Sequence, residues 1–401
     1  MANALTAYNP EYWAKLSQSL LDKMLVGKEI AKFEDGGILS DGDTFNKPYR
    51  SRPYVANYTK GSAVEIQDVT TTNEALDVDQ SKIVPVYVDD VDAKQNKYDI
   101  ANEMIKDNVH LLGREIDYKI LSQVTNATLD IDDGDIGGTS GSPISVTASN
   151  ATNVFGTTQA ELAAGNVERN QPWYLVLDPN TINIVMQSFV ANGFQTADAS
   201  LRNGFIGEYL GFKVYESNSL LASLSINIAT NPSDGDTVVL KGVTFEFKTA
   251  PSTAGQVDIA GSAAATVDNL VLAINGTGTP GSSTYIALSD EDRSTLKNNQ
   301  VVAVDATTSV TVTAAGKINS SETFTDTTDN IGVQTIQCLS GKVGNISAVV
   351  QMTPTVKVKD VQDKLGKNYL THTLYGVKTF REGARRMCSV NIQAAAATPV
   401  V

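Results

Sequence analysis

The stretch from Thr44 to Val88 constrains the fold more than any other part of the chain. It is rich in Thr, Val and Tyr, alternates in places (Val84-Pro-Val-Tyr-Val88) and is nearly free of helical periodicity. Pro48, Pro53 and Pro85 cannot donate to a ladder, which bars those points from the middle of a sheet. With the turn signal Ser40-Asp-Gly-Asp-Thr44 before it, the segment reads as a long two-stranded arm over 41–90. Such a ribbon cannot bury itself and exposes unpaired edges, so it makes physical sense when a neighbouring subunit covers it. The next segment has the opposite character. Ala101, Ile105, Val109, Leu112, Ile116 and Ile120 form one apolar stripe, widened by Met104, Leu111 and Leu121. The spacing predicts a helix over 92–124, a rod of roughly 48 Å to which other parts attach.

Charge sharpens the reading of the arm. Between Thr44 and Ala63 the only charges are Lys47, Arg50, Arg52 and Lys60; further on, Asp77, Asp79, Asp89, Asp90 and Asp92 are all negative. A basic tip meeting an acidic surface would steer one subunit onto another. Lys47, Arg50, Arg52, Lys60, Asp77, Asp79, Asp89 and Asp90 are therefore the candidate interface residues. A merely solvated hairpin with scattered charge is the plainer alternative.

The rest of the chain mixes helices and strands. An amphipathic helix is expected over 10–33, where Trp13, Leu16, Leu20, Leu21, Met24 and Leu25 recur at helical spacing between Pro10 and Gly36-Gly37. Asp130 to Asn153 reads as a Gly/Ser/Thr/Asp loop, Thr157–Asn170 as a short helix and Trp173–Leu177 as a buried strand. A helix over 181–192 comes next, with Asp178 or Asn180 as its N-cap. Gly204 to Tyr215 reads as a hairpin and strand. From Ser223 the composition shifts to short Val/Thr/Ile/Phe strands separated by Asp-Gly, Pro-Ser and Gly-Thr turns, with one helix at Ala263–Asn275. This span, 223–335, carries 5 basic and 12 acidic residues, whereas 336–401 carries 9 basic and 3 acidic. It is read as a β-rich insertion, since Val356–Lys359 and Leu374–Thr379 supply further strands for the part that precedes it.

Several function classes are excluded or left without support. A net charge of −14 over 401 residues disfavours tight nucleic-acid binding. Two cysteines, Cys338 and Cys388, make no disulfide framework, and two histidines, His110 and His372, make no His-rich metal site. No run of apolar residues is long enough to span a bilayer, and the first ten residues lack the basic and apolar regions of a signal peptide. Asp130-Ile-Asp-Asp-Gly-Asp135 fails as a calcium loop, because Gly134 and Gly141 stand where oxygen ligands are needed. No phosphate-binding loop occurs, and no Ser or Cys has a base beside it. No enzymatic activity and no cofactor are expected.

With these segments placed, their order resembles a tailed-bacteriophage major capsid protein of the HK97-like fold. Asp41-Gly-Asp-Thr44 and the basic arm are similar to the start of that family's E-loop. Val86-Tyr-Val-Asp-Asp90, Tyr98-Asp-Ile100 and Gly113-Arg-Glu-Ile-Asp117 resemble the approach to and body of its spine helix. Phe205-Ile-Gly-Glu-Tyr-Leu-Gly-Phe-Lys-Val-Tyr-Glu-Ser217 is similar to its axial strand pair, and Leu374-Tyr-Gly-Val-Lys378 with Arg381 to its closing peripheral strand. Asp234-Gly-Asp-Thr-Val-Val-Leu-Lys-Gly-Val-Thr-Phe245 is of the kind found in inserted domains of short-tailed-phage coats.

The resemblance implies an α+β fold with an N-terminal arm (1–40), E-loop (41–90), peripheral domain with spine helix (91–156), axial domain (157–222), inserted β-rich domain (223–335), and a last part returning to the axial and peripheral domains (336–401). It implies pentamers and hexamers of one chain in an icosahedral virion shell around DNA, assembled in the bacterial cytoplasm. A separate scaffolding protein is expected because no long charged N-terminal domain is seen, together with a portal and in some relatives a cement protein. DNA contact would be weak and non-specific, and no membrane is involved. Lys47 or Lys60 could serve the Lys–Asn crosslink of some relatives, but no motif identifies its Asn or Glu, so none is expected. The competing readings are a β-rich surface or adhesin-type binding module and an enzyme with an unrecognised site.

Overall fold

The computed structural model describes residues 25–34, 44–95, 100–191, 207–326, 328–361 and 364–394. Most of the expected helix over 10–33, Asp41-Gly-Asp43, Tyr98-Asp99 and Phe205-Ile206 lie outside them. Where that first helix can be followed it does not reach residue 33. A single turn, α1 (Gly27–Ile30), gives way at Ala31 to extended backbone, and β1 (Lys32–Glu34) pairs in parallel with residues 347–349. Asp117 on the long helix holds this turn. Its Oδ1 accepts the Val26 N–H at 2.9 Å and the Gly27 N–H as well. Glycine at 27 lets the carboxylate come this close, since a Cβ would stand 2.9 Å from both Asp117 Oδ1 and Ile120 Cδ1 and push those side chains aside.

The arm is shorter than 41–90. Strands β2 (Thr44–Arg50) and β3 (Thr71–Asp77) form the ribbon, in register from Thr44↔Asp77 to Arg50↔Thr71, and residues 51–70 make its tip. The next strand, β4 (Gln80–Asp89), leaves the arm for another sheet, so Asp79, Asp89 and Asp90 are not arm residues. Its strict alternation is the cause: Lys82, Val84, Val86 and Val88 are half-buried while Ser81, Ile83, Pro85 and Tyr87 are exposed, the pattern of a strand with a single covered face.

The root of the arm is anchored on its own subunit. Leu76 is fully buried with Val78, Val349 and Phe380, and Phe45 and Leu374 pack against them. Lys47 Nζ sits 5.3 Å from the Phe380 ring centre and 3.5 Å from Glu382, and the Arg381 guanidinium lies 5.2 Å from the Tyr49 ring. The Arg381 N–H donates to Glu74 at 3.0 Å. Gly376 lets the arm root pass, because a Cβ there would meet the Asp77 carbonyl at 2.4 Å.

Helical residues continue the chain as α2 (Asp90–Gln95) and α3 (Ile100–Leu121), the latter about 33 Å long and closed by a tight turn over Ser122–Asn126. The α-helix thus ends three residues before the expected Val124. Then come β5 (Leu129–Ile131) and α4 (Ala151–Ala164). The latter starts six residues before the expected Thr157, because Ala151, Val154 and Phe155 fill the core alongside Leu162. Strand β6 (Trp173–Leu177) is buried throughout. Asp178 rather than Asn180 caps α5 (Pro179–Ala191), accepting the Asn180 N–H at 3.1 Å. Strands β7 (Glu208–Tyr209) and β8 (Phe212–Glu216) form the expected hairpin, its turn residues Leu210 and Gly211 both left-handed at φ 47° and 81°.

After β9 (Leu221–Asn227) the chain builds β10 (Thr237–Leu240), β11 (Val243–Lys248), β12 (Gln256–Asp258), α6 (Ala263–Asn275), α7 (Asp290–Asn298), β13 (Val302–Asp305), β14 (Ser309–Ala315), β15 (Ser320–Glu322) and β16 (Asn330–Ile331). Helix α7 is an addition to the expected elements. Ser289 caps it and Asp290, Glu291 and Asp292 fill its first turn, but Leu296 is its one buried residue, so no apolar stripe marks it in the sequence. Strands β12-β11-β10-β15 make a sheet of their own. Strands β13 and β14 instead extend the central sheet, whose order β13-β14-β9-β17-β6-β8-β7 includes β17 (Thr335–Gly341). The span 223–335 therefore leaves from β9 and returns to β17 beside it, Thr335 facing Ser223.

The chain closes with β18 (Ser347–Asp360), β19 (Gly366–Lys378), α8 (Arg381–Ala384) and β20 (Met387–Gln393), the last pairing β17 and β5. A four-stranded sheet runs β1-β18-β19-β4 with α3 across one face.

Two substitutions test these anchors. Asp117→Ala strips a charged acceptor from two buried N–H groups and should cost about 2–4 kcal/mol in urea unfolding, with Asp117→Asn recovering part of it. Leu76→Ala should cost about 2–4 kcal/mol and speed tryptic cleavage after Arg50, whose next residue is Ser51. An unchanged cleavage rate would show that the root does not depend on this cluster.

Candidate subunit interface

The structure distributes the eight candidate residues over three places. Lys47 and Asp77 sit at the arm root, where Lys47 is engaged by Phe380 and Glu382 of its own chain. Arg50, Arg52 and Lys60 are exposed, at the end of β2 and along the tip. Asp79 lies beside the root and accepts the Gln80 side-chain amide at 2.9 Å. Asp89 and Asp90 stand at the other end of the ten-residue β4, roughly 30 Å away. Asp89 caps α2, its Oδ1 accepting the Val91 N–H at 2.8 Å and its Oδ2 the Tyr87 hydroxyl at 3.1 Å. Asp90 occupies the first turn, where the helix dipole favours a carboxylate. No single acidic patch faces the basic tip within one chain.

The arm tip carries a stronger feature. Tyr54, Val55, Tyr58, Val64, Ile66 and Val69 are all exposed, Val55 at 99% and Ile66 at 88%. Isolated apolar side chains on a surface are ordinary; six exposed within one unpaired loop are a concentration that ordinary loops do not carry. The tip keeps its course through a few polar contacts. The Ser51 N–H donates to the Thr70 carbonyl at 2.8 Å, and the Gln67 side chain accepts the Tyr54 N–H at 2.9 Å while donating to the Tyr54 carbonyl at 2.8 Å. Sequence reasoning singles out the cations here and passes over the apolar residues. The signal is nonetheless present: β-favouring apolar residues in a segment with no second layer to receive them.

A second exposed surface is the face of the β1-β18-β19-β4 sheet turned away from α3. Register places His372 beside Ile83 and Thr355, Leu370 beside Pro85 and Lys357, and Asn368 beside Tyr87 and Lys359. The alternate residues Thr371, Thr373 and Tyr375 are buried. Ile83 and Tyr87 are exposed, and Lys364 Nζ lies 5.7 Å from the Tyr87 ring centre. The result is a flat apolar strip bordered by lysines.

Chemistry of other kinds finds little footing. Among the described residues no group of three or more His, Cys, Asp or Glu could hold a metal ion, and no helix is long and apolar enough to cross a membrane. In the acidic loop Asp132 accepts the Gly134 and Gly141 N–H groups at 2.7 and 2.6 Å; these backbone donors, Gly141 first, pull its carboxyl below the usual range. Burial pushes the Cys338 and Cys388 thiols up, away from the reactive thiolate.

No protein-family model matches this sequence, and no curated protein matches it. Solved structures do. A structure from Mycobacterium phage Che8 matches with TM-score 0.59 and 16% identity, covering 96% of this chain and 98% of that one. The capsid structure of the cyanophage P-SCSP1u matches with TM-score 0.56 and 12% identity, covering 98% and 95%. The asymmetric unit of the mature capsid of bacteriophage PhiM1 matches with TM-score 0.53 and 11% identity, covering 98% and 93%. Over nearly its whole length the chain therefore has the α+β fold of phage capsid structures.

Proposed function

We propose that this chain is the major capsid protein of a tailed bacteriophage: a non-enzymatic subunit that assembles as pentamers and hexamers into an icosahedral shell enclosing a DNA genome. The observation that carries the reading is the apolar arm tip, extending from an anchored root and exposed among the described residues. The shared capsid fold supports it. The tip docks on a neighbouring copy, and the open strip of Ile83, Pro85, Tyr87 and Leu370 is the surface of matching character. Asp89 and Asp90 flank that strip and are the carboxylates available to Arg50 and Arg52.

Magnitudes decide which part of the contact dominates. Fully burying one Val, Ile or Tyr contributes about 1.5–3 kcal/mol, whereas an exposed ion pair contributes about 0–1 kcal/mol. The apolar residues supply the affinity, and the cations supply approach rate and register. Small contacts repeated around closed symmetry make a stable shell. The partners are further copies of the chain, a separate scaffolding protein, a portal and in some shells a cement protein. With a net charge of −14 the subunit offers packaged DNA only weak, non-specific contact. Its place is the virion, after assembly in the host cytoplasm.

The test is sedimentation with negative-stain microscopy on the expressed chain, alone and with its candidate scaffold. Closed particles of uniform size are expected; a clean monomer under both conditions would favour a β-rich surface or adhesin-type module. Val55→Asp with Ile66→Asp should abolish particles without lowering subunit stability. Arg50→Glu with Arg52→Glu should slow assembly and reduce yield. Normal particles from the first pair would remove the apolar tip from the contact, and normal particles from the second would remove the cations.

A further inference from the structure

The spine helix, β4 and the 290–302 segment of the β-rich module enclose a cleft of about 450 Å³. Its polar lining includes Lys82 from β4, Arg114, Glu115 and Tyr118 from α3, and Lys297 and Gln300 from the module. Three cationic residues and one carboxylate thus line the same cleft, on a chain whose net charge is −14. That carboxylate is already occupied: Glu115 pairs with Lys82 at 3.0 Å and accepts the Gln300 side-chain amide. Arg114 donates one N–H to the Asn298 carbonyl at 3.0 Å, and neither Arg114 nor Lys297 is ion-paired to a described residue. A guanidinium has five donors, so most of its capacity remains.

The charge of Arg114 is felt beyond the cleft. Across the wall formed by residues 218–220, 299 and 315–316 lies Lys241, whose ammonium donates to the Ala315 and Gly316 carbonyls at 3.1 and 3.3 Å. Burial first, and then the charge of Arg114, lower its pKa to about 8. Asp178 and Lys317 line the same side as Lys241. Inside the cleft, desolvation and then Glu115 push the Tyr118 hydroxyl up to about 12, which keeps it protonated and able to donate. Val84, Leu112 and Val301 give the walls an aliphatic character that weakens solvent screening.

We propose that this cleft binds a small multivalent oxyanion of the phosphate type, held by Arg114, Lys297 and Lys82, and that the bound anion locks the β-rich module to the spine helix. A guanidinium matches two oxygens of such an ion, and the two lysines take the rest as point charges. Because the three cations come from three elements, one ion ties all three together. Neither step uses the arm or the shell. The inference stands on the cleft alone and is tested on the unassembled chain, so a failure of the shell reading leaves it untouched.

The experiment is calorimetric titration and thermal unfolding of the full chain in chloride buffer, with inorganic phosphate and then pyrophosphate at matched ionic strength. Saturable binding with a rising unfolding temperature is expected, pyrophosphate binding the tighter. Arg114→Gln should weaken binding by about tenfold or more. Lys297→Gln, at the exposed end of α7, should weaken it while leaving unfolding in chloride unchanged, so a folding defect cannot mimic the result. Lys359→Gln, exposed on β18, should bind as the wild type does. The proposal is overturned by an unsaturable response, by equal responses in wild type and both cleft variants, or by a short DNA duplex binding where pyrophosphate does not.

Discussion

A two-stranded ribbon has no interior, and the arm obeys that constraint in two ways along its length. At the root the chain supplies a second layer: Leu76 and Val78 are buried against Val349 and Phe380, and rings and cations close over them. At the tip no described residue forms such a layer, and six apolar side chains are exposed. The root fixes where the arm starts and in which direction it leaves. The tip then has a defined reach and an undefined partner, the arrangement of a contact completed by another molecule. Had the whole arm folded back on its own subunit, the same residues would read as an ordinary core.

The β-rich module obeys a different rule. Its own four-stranded sheet could stand as an appended domain, but β13 and β14 continue the central sheet through seven paired residues of β9. Arg114 and Glu115 of the spine helix also reach it, through the Asn298 carbonyl and the Gln300 amide. Rigid-body movement of the module would break sheet hydrogen bonds and these contacts together. The module therefore stiffens the joint between the central sheet and the spine helix. In a subunit of the capsid fold, that joint is where a change in the angle between the two parts would be opposed.

Legibility in the sequence tracks the size of the local signal. Strand β6 and helix α6 are readable to the residue, because a run of five apolar residues and an apolar stripe each leave one option. The helix expected over 10–33 extends too far because β1 gains its pairing from a strand more than three hundred residues away, which no local pattern announces. Helix α7 escapes a periodicity reading because its stability rests on Ser289 and a dipole-matched first turn rather than on burial. The eight candidate residues rest on charge alone. Four are carboxylates that the fold scatters along β3, β4 and α2, and one cation, Lys47, is engaged at the root. Charge sign is visible in a sequence, whereas which charges share a surface is a property of register.

An exposed apolar tip makes unplanned association easy, so the other edges of the subunit need to resist it. They do so by recognisable means. Beyond the three residues covered by β1, the outer side of β18 carries Pro354, two register shifts, and Lys357 and Lys359. The other edge strand of that sheet, β4, has Pro85 in its middle, which removes a donor. At the edge of the central sheet the Asn275 side chain takes both backbone groups of Ala303, accepting its N–H at 2.9 Å and donating to its carbonyl at 2.8 Å. That sealing leaves no backbone group of Ala303 for an incoming strand. With strand addition hindered at these three edges, the proposed docking of the apolar tip has less competition from edge pairing. Association through one directional contact yields a closed assembly, where association through open edges would yield an aggregate.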